Sequence, residues 1–156
     1  MSNEVEQSLS VSIRDLPTIF AAYTYCKVDL AAGNFSDQIR DGFQSVKDWV
    51  MQKGHDLTGL KVIGVPHVKD GQLTGYECCV ELPKAETVNT GTIQTKQLTG
   101  GTYAILTLEK ESATIGETIG RFFAEYVPEH QLNIDDQRPS YEIYYEQLMD
   151  FCVPIR

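Results

Sequence analysis

The chain has 156 residues, 42% of them hydrophobic, which is enough for one domain with a buried core and short for two. Its formal net charge is −9 and it has no basic stripe, which argues against direct binding to nucleic acid, because phosphate recognition needs clustered Lys and Arg. No segment approaches the ~20 apolar residues of a membrane span, and MSNEVEQSLS lacks the regions of a signal peptide, so we expect a cytoplasmic protein.

The first half of the chain predicts a strand, a helix and two more strands after a flexible tail over residues 1–10. Residues 16–30 are rich in β-branched and aromatic side chains without a helical stripe, which predicts a strand. Apolar residues then recur at helical spacing up to about Lys53, and Gly54 provides the stop. LKVIGVPHV predicts a strand in which Pro66 indicates an edge or a bulge. An Asp-Gly turn in KDGQ leads into the strand GYECCVEL.

The second half repeats this order. Residues 93–110 predict a strand with a Gly-Gly kink, and a second helical face follows and ends before Pro128. RPSYEIYYE and DFCVPI predict the last two strands. A βαββ unit thus occurs twice, over residues 11–83 and 93–156. Two such units, each burying one helical face against a joined antiparallel sheet, predict a single α+β domain with a pseudo-twofold arrangement.

The stretch RPSYEIYYEQL places a glutamate in the middle of a tyrosine-rich strand. Alternation along a strand puts Glu142 and Tyr144 on one face, and Tyr141 and Ile143 on the other. The first face is either exposed to water, as is usual for glutamate, or holds a carboxylate beside a phenol for a purpose. The stretch alone leaves both interpretations open.

The duplicated order, together with GGTYAILTLEK, RPSYEIYYEQL and the closing CVPI, resembles one family. It is the GyrI-like (gyrase-inhibitor-like) effector-binding domain, which also follows the DNA-binding segments of AraC-type and MerR-type multidrug regulators. The resemblance runs from about Val11 to Arg156, and Trp49 near the end of the first helix also fits the family pattern. The positions that match its C-terminal motif are Pro139, Tyr141, Glu142, Tyr144 and Pro154.

This resemblance implies that Glu142 lies among aromatic rings in a cleft between the two repeats and contacts bulky, often cationic, aromatic ligands. Tyr144 shares its strand face with Glu142 and would border the same cleft. Trp49, Tyr76 and Tyr103 are further candidate walls of the ligand site, and for each of them the alternative is an ordinary packing role. A lipophilic cation would supply the partner that a partly buried carboxylate needs.

Three functions are compatible with the resemblance. The first is a stand-alone binding protein that senses or sequesters lipophilic cations. The second is hydrolysis of cyclopropane-bearing genotoxic natural products by Glu142 with Tyr144 or Tyr76. Family members often carry a tyrosine in the strand that is VIGVPHV here, so His67 would have to replace it as the acid. The third is a protein-interaction role of the gyrase-inhibitor type, with gyrase or a regulator as partner. We expect a monomer or a weak dimer.

Neither the histidines nor the cysteines have the spacing of a metal site. We therefore expect no metal, no cofactor and reduced cysteines. These residues are His55, His67 and His130, and Cys26, Cys78, Cys79 and Cys152.

Overall fold

The computed structural model describes residues 9–28, 35–87, 91–110 and 113–156 of the chain. Nearly all of the predicted tail lies outside the described residues. The eight strands are β1 (Val11–Leu16), β2 (Ile19–Lys27), β3 (Val62–Lys69), β4 (Gln72–Leu82), β5 (Gln94–Leu98), β6 (Gly101–Glu109), β7 (Tyr141–Tyr144) and β8 (Leu148–Pro154). The helices are α1 (Phe35–Gln52) and α2 (Ile115–Arg121), and α2 continues through a π-helical turn (Phe122–Tyr126) into α3 (Val127–Glu129).

The strands form one curled antiparallel sheet in the order β1-β6-β8-β7-β3-β4-β2-β5. This architecture is α+β, as the sequence predicted. The two halves of the chain meet in the centre of the sheet, where β3 pairs with β7 over Val62–Gly64 and Glu142–Tyr144. The central pairing therefore places the glutamate of RPSYEIYYEQL beside the first half of the chain.

Helix α1 forms where the apolar spacing predicted it. Val46 and Val50 are fully buried against β2 and β4, and the helix ends at Gln52 before Gly54, which has a φ of +90°. This φ is readily adopted only by glycine, and glycine is the usual residue just after a helix. The predicted end of this helix is confirmed.

Each half of the chain has one strand more than the predicted βαββ unit, because the structure adds one strand and splits another. The strand predicted over residues 16–30 is β2, and the unpredicted strand β1 precedes it and is separated from it at Pro17. Residues 93–110 form β5 and β6, which pair with β2 and β1 respectively. The break between β5 and β6 lies against the break between β1 and β2. A Cβ on Gly100 would lie only 2.1 Å from the carbonyl oxygen of Leu16.

The predictions made from Pro66 and Pro128 are only partly correct. Pro66 lies in an internal strand, but β7 pairs only with Val62–Gly64, and the register of β3 shifts just after His67. The predicted bulge is therefore confirmed. The strand is internal, but Pro66 itself has a paired neighbour on one side only. The prediction that the second helix ends before Pro128 is wrong, because the preceding π-helical turn places Pro128 in the first turn of α3, where its missing N–H is not needed.

The sheet buries apolar side chains on both faces. Both helices cover one face, which we call the helix face. The opposite face carries its own buried cluster, centred on Tyr103, Tyr141 and Ile143. Among the described residues, no helix is long and apolar enough to cross a membrane.

Candidate functional site

Three side chains from β4 and β7 converge on the helix face. The Tyr76 hydroxyl lies 2.6 Å from Oε1 of Glu142, and the Tyr144 hydroxyl lies 2.9 Å from the same oxygen. The two hydroxyl oxygens are 2.7 Å apart. The two phenols have two protons for these three short contacts. Either both phenols donate to the carboxylate, or one donates to the carboxylate and the other donates to the first phenol. We call Tyr76, Glu142 and Tyr144 the carboxylate–phenol cluster.

Strand β3 makes this convergence possible through a glycine. Gly64 pairs with Glu142 on one side and with Cys78 on the other, so it lies between β7 and β4. A Cβ on Gly64 would lie 1.7 Å from the Tyr76 hydroxyl oxygen. Only glycine leaves room for the Tyr76 ring to cross β3 and reach the carboxylate.

The cluster keeps both phenols protonated. Burial is the largest cause that raises the pKa of Tyr76, and the charge on Glu142 raises it further. The pKa of Tyr144 is raised by the same two causes in the same order. Protonated phenols donate hydrogen bonds, which are strongest toward an ionised acceptor. Oε2 of Glu142 makes no hydrogen bond to any residue that the structure describes, whereas Oε1 accepts from both phenols.

Helix α1 covers the cluster with an aromatic ring and leaves a cavity beside it. Phe43 meets Tyr76 and Tyr144 edge-to-face, with ring centroids 6.0 and 5.7 Å apart. The cavity has a volume of about 540 Å³, and Tyr144 forms part of its wall. Its other described lining residues are Ser36, Ile39, Arg40, Phe43, Gln44, Lys47, Val62 and Lys110. The carboxylate is thus separated from the cavity by one phenol.

The cavity mouth carries three cationic side chains. Arg40 is paired with Asp37, with 3.3 Å between the guanidinium and carboxylate atoms. Lys110 donates a hydrogen bond of 2.9 Å to the backbone carbonyl of Tyr145. Lys47 is the third. Their charges oppose the entry of a cation, so a cationic ligand gains electrostatically only where it approaches Glu142.

The structure does not bring two predicted site residues to this cluster. Trp49 is half-buried in the cluster around Val46 and Val50, with Lys53 Nζ 5.1 Å from its ring centroid. Tyr103 is fully buried on the opposite face of the sheet, stacked on Tyr141. Both pack in the core, and we leave both out of the candidate site.

His67 also lies on the opposite face. Alternation along β3 separates it from Gly64, and its Nε2 lies 2.7 Å from Oε2 of Glu77. The expectation that His67 could replace a catalytic tyrosine beside Glu142 is therefore wrong. Tyr76, contributed by β4, occupies the place beside the carboxylate.

Sequence reasoning missed two residues that build the site. Phe43 is one of the apolar residues whose helical spacing predicts α1, and nothing in that spacing distinguishes it from a core residue. Gly64 interrupts an apolar strand, and such a glycine often marks a close approach, so this signal was available.

The fold and the cluster together define an α+β domain with a carboxylate–phenol site beside a cavity under a helix. The chain belongs to the GyrI-like family, since the model of the GyrI-like small molecule binding domain matches residues 9–155. The domain is therefore a small-molecule binding domain of that family. A comparison with curated protein sequences finds no significant match.

Solved structures share this fold at low sequence identity. The EcmrR C-terminal domain superposes with a TM-score of 0.70 at 12% identity, covering 96% of this chain and 99% of that one. EcmrR in a complex with DNA also superposes with a TM-score of 0.70 at 12% identity. The match covers 95% of this chain, and this chain spans only 57% of that EcmrR chain. SAV2435 bound to tetraphenylphosphonium superposes with a TM-score of 0.59 at 14% identity, with 94% of each chain covered. A hydrolase from Listeria innocua gives 0.66 at 11% identity, covering 94% of this chain and 91% of that one.

Within the described residues, no group of three or more histidine, cysteine, aspartate or glutamate side chains could hold a metal ion.

Proposed function

We propose that the domain binds bulky lipophilic cations, with Glu142 as the counter-charge. The observation that carries the proposal is the carboxylate–phenol cluster: Tyr76 and Tyr144 hold Oε1 of Glu142, so a ligand that approached Oε2 would not have to displace a described hydrogen bond. The ring of Phe43 lies over the same cluster and offers an aromatic contact. The tetraphenylphosphonium bound to SAV2435, a protein of similar fold, is a ligand of this class.

The chemistry of the cluster favours a cation. Removing a carboxylate from water costs several kcal/mol unless charge and hydrogen bonds compensate it. Two phenols compensate in part, and a cation completes the compensation while its apolar body fills the cavity beside Phe43. Each aromatic face that the cation lies over adds about 0.5–2 kcal/mol.

Titration calorimetry with tetraphenylphosphonium tests this proposal. Glu142→Gln removes the charge and keeps the shape, and Glu146→Gln makes the same change at an exposed position four residues further on. We expect Glu142→Gln to weaken binding at least tenfold, or about 1.4 kcal/mol. Glu146→Gln should bind like the wild type. Equal affinities of all three proteins would remove Glu142 from the site.

The cluster also favours a second candidate function, the hydrolysis of cyclopropane-bearing genotoxic compounds. Glu142 would take a proton from a water whose oxygen bonds to the cyclopropane methylene carbon. The ring C–C bond breaks, and its electrons move to the conjugated carbonyl, whose oxygen takes a proton from Tyr76 or Tyr144. Glu142 then returns a proton to that phenol, so that one water is added in total. The similar structure from Listeria innocua is described as a hydrolase.

Mass spectrometry separates the two functions. A hydrolase converts such a compound to a product heavier by one water, and Tyr76→Phe slows this conversion. A binding protein returns the compound unchanged while still protecting it from solvent. Release of unchanged compound after many hours with excess protein would reject hydrolysis.

The same proposal includes an internal duplication of the chain, a cytoplasmic location and a choice of partners. The strand order reads identically from both ends if β1 to β4 are exchanged with β5 to β8, which supports a duplicated unit. We infer a cytoplasmic sensor or sequestering protein that acts without touching DNA, alone or through a regulator or gyrase partner. Gel filtration with light scattering tests the expected monomer or weak dimer.

A further inference from the structure

The face of the sheet opposite the helices carries a second cavity, which contains a buried carboxylate paired with a lysine. It has a volume of about 580 Å³ and lies between the β3–β4 hairpin, β5 and the start of β7. We propose that this cavity is a second ligand site, which takes small organic anions with an apolar body. The proposal does not depend on the role of Glu142, which lies on the helix face.

A buried carboxylate forms the floor of this cavity and is already neutralised. The Glu77 side chain is 9% exposed, and its Oε2 lies 2.7 Å from Nε2 of His67. Its Oε1 forms an ion pair with Nζ of Lys96. Lys96 is also held by a cation–π contact, since its Nζ lies 4.7 Å from the ring centroid of Tyr23. Such a fixed cation is better organised for recognition than a freely moving surface lysine.

The remaining charges of the cavity are positive. Glu77 is the one acidic residue among its described lining residues, whereas Lys69 and Lys96 both line it. The lining thus has a net charge of about +1, and His67 adds a further charge when it is protonated. The cavity on the helix face is also lined by cationic side chains; this one additionally holds a buried carboxylate that fixes one of its lysines. An anionic group that approaches Lys96 would contact a cation whose own partner is only one buried carboxylate.

The walls of the cavity suit an apolar ligand body. Val65 and Tyr141 are almost fully buried on one side, and Leu98 is buried on the other. Thr99 adds a hydroxyl that can donate a hydrogen bond to an anion, whereas the Thr74 hydroxyl already donates to the carbonyl oxygen of His67 at 3.2 Å. Apolar walls with a few convergent polar groups are typical of small-molecule sites.

The probe for this site is 1-pyrenebutyrate, with the uncharged alcohol 1-pyrenebutanol as its matched control. We expect fluorescence titration to show saturable binding of the carboxylate and at least tenfold weaker binding of the alcohol. Lys96→Met should weaken carboxylate binding about tenfold, or about 1.4 kcal/mol. The exposed Lys69→Met, which does not disturb the buried ion pair, should weaken it about threefold. Lys84→Met, an exposed lysine outside both cavities, should leave it within twofold.

Amide chemical shifts locate the bound probe even if Lys96→Met fails to fold. We expect shift changes in the β3–β4 hairpin and β5. Changes confined to α1, equal affinity for acid and alcohol, or equal affinity of wild type and Lys69→Met would each overturn the proposal. If pyrenebutyrate binds here while tetraphenylphosphonium does not bind, only the cation proposal fails.

Discussion

Gly64→Ala tests whether the crossing of Tyr76 over β3 assembles the site. The added Cβ would lie 1.7 Å from the Tyr76 hydroxyl oxygen and 2.4 Å from Cζ, so the ring has to leave its place. Overpacking costs about 1–3 kcal/mol, and the lost bond to a charged carboxylate about 1.5–3 kcal/mol. The gain from replacing a strand glycine offsets about 0.5–1 kcal/mol of this. We expect a net loss of about 1.5–5.5 kcal/mol.

The sign of the effect should reverse in a Tyr76→Ala background. There the clash is absent, and Gly64→Ala should stabilise the protein by about 0.5 kcal/mol. Gly75→Ala is a matched control, since its Cβ would lie 1.9 Å from the hydroxyl oxygen of Tyr25, a half-exposed ring that can move into solvent. Urea unfolding followed by circular dichroism measures all five proteins. Equal costs of Gly64→Ala in both backgrounds would refute the reasoning.

Three further predictions concern charge and protonation. Because burial and then Glu142 raise the pKa of Tyr76, the folded state keeps a proton that the unfolded state loses above pH ~10. The wild type should therefore lose about 1 kcal/mol more stability between pH 10 and pH 11 than Tyr76→Phe, as measured by urea unfolding; equal losses in the two proteins would contradict this. Lys47→Met should tighten tetraphenylphosphonium binding two- to threefold in calorimetry by removing a charge at the cavity mouth, and weaker binding would place the ligand elsewhere. Burial raises the pKa of the Cys152 thiol to about 12, so a disulfide reagent should modify half-buried Cys26 first; rapid reaction of all four thiols in the native protein would be inconsistent with this packing.

The sequence contains enough information for the class of fold and for one half of the site. Alternation along RPSYEIYYEQL places Glu142 and Tyr144 on one face, and the structure has them there. The helical spacing predicted α1 and its end, because these are local properties of the chain. The alternatives for Glu142 could be weighed only through the family resemblance.

The parts that sequence could not supply depend on register between distant strands. Tyr76 meets Glu142 only because Gly64 pairs with both β4 and β7, and local patterns do not encode such partners. Tyr103 lies on the opposite face because β6 begins at Gly101, one residue after the break in the predicted strand. The orientation of Trp49 depends on how α1 rotates against β2 and β4, which its apolar spacing specifies only approximately.

A crystal structure of the domain with tetraphenylphosphonium tests the central claim most directly. We expect the ligand under α1, with a phenyl ring against Phe43 and its phosphorus within about 6 Å of Oε2 of Glu142, the range in which opposite charges interact strongly. The same crystal should show Tyr76 still bonded to Oε1. A ligand bound in the cavity beside Glu77, or on the surface with the carboxylate–phenol cluster untouched, would contradict the account.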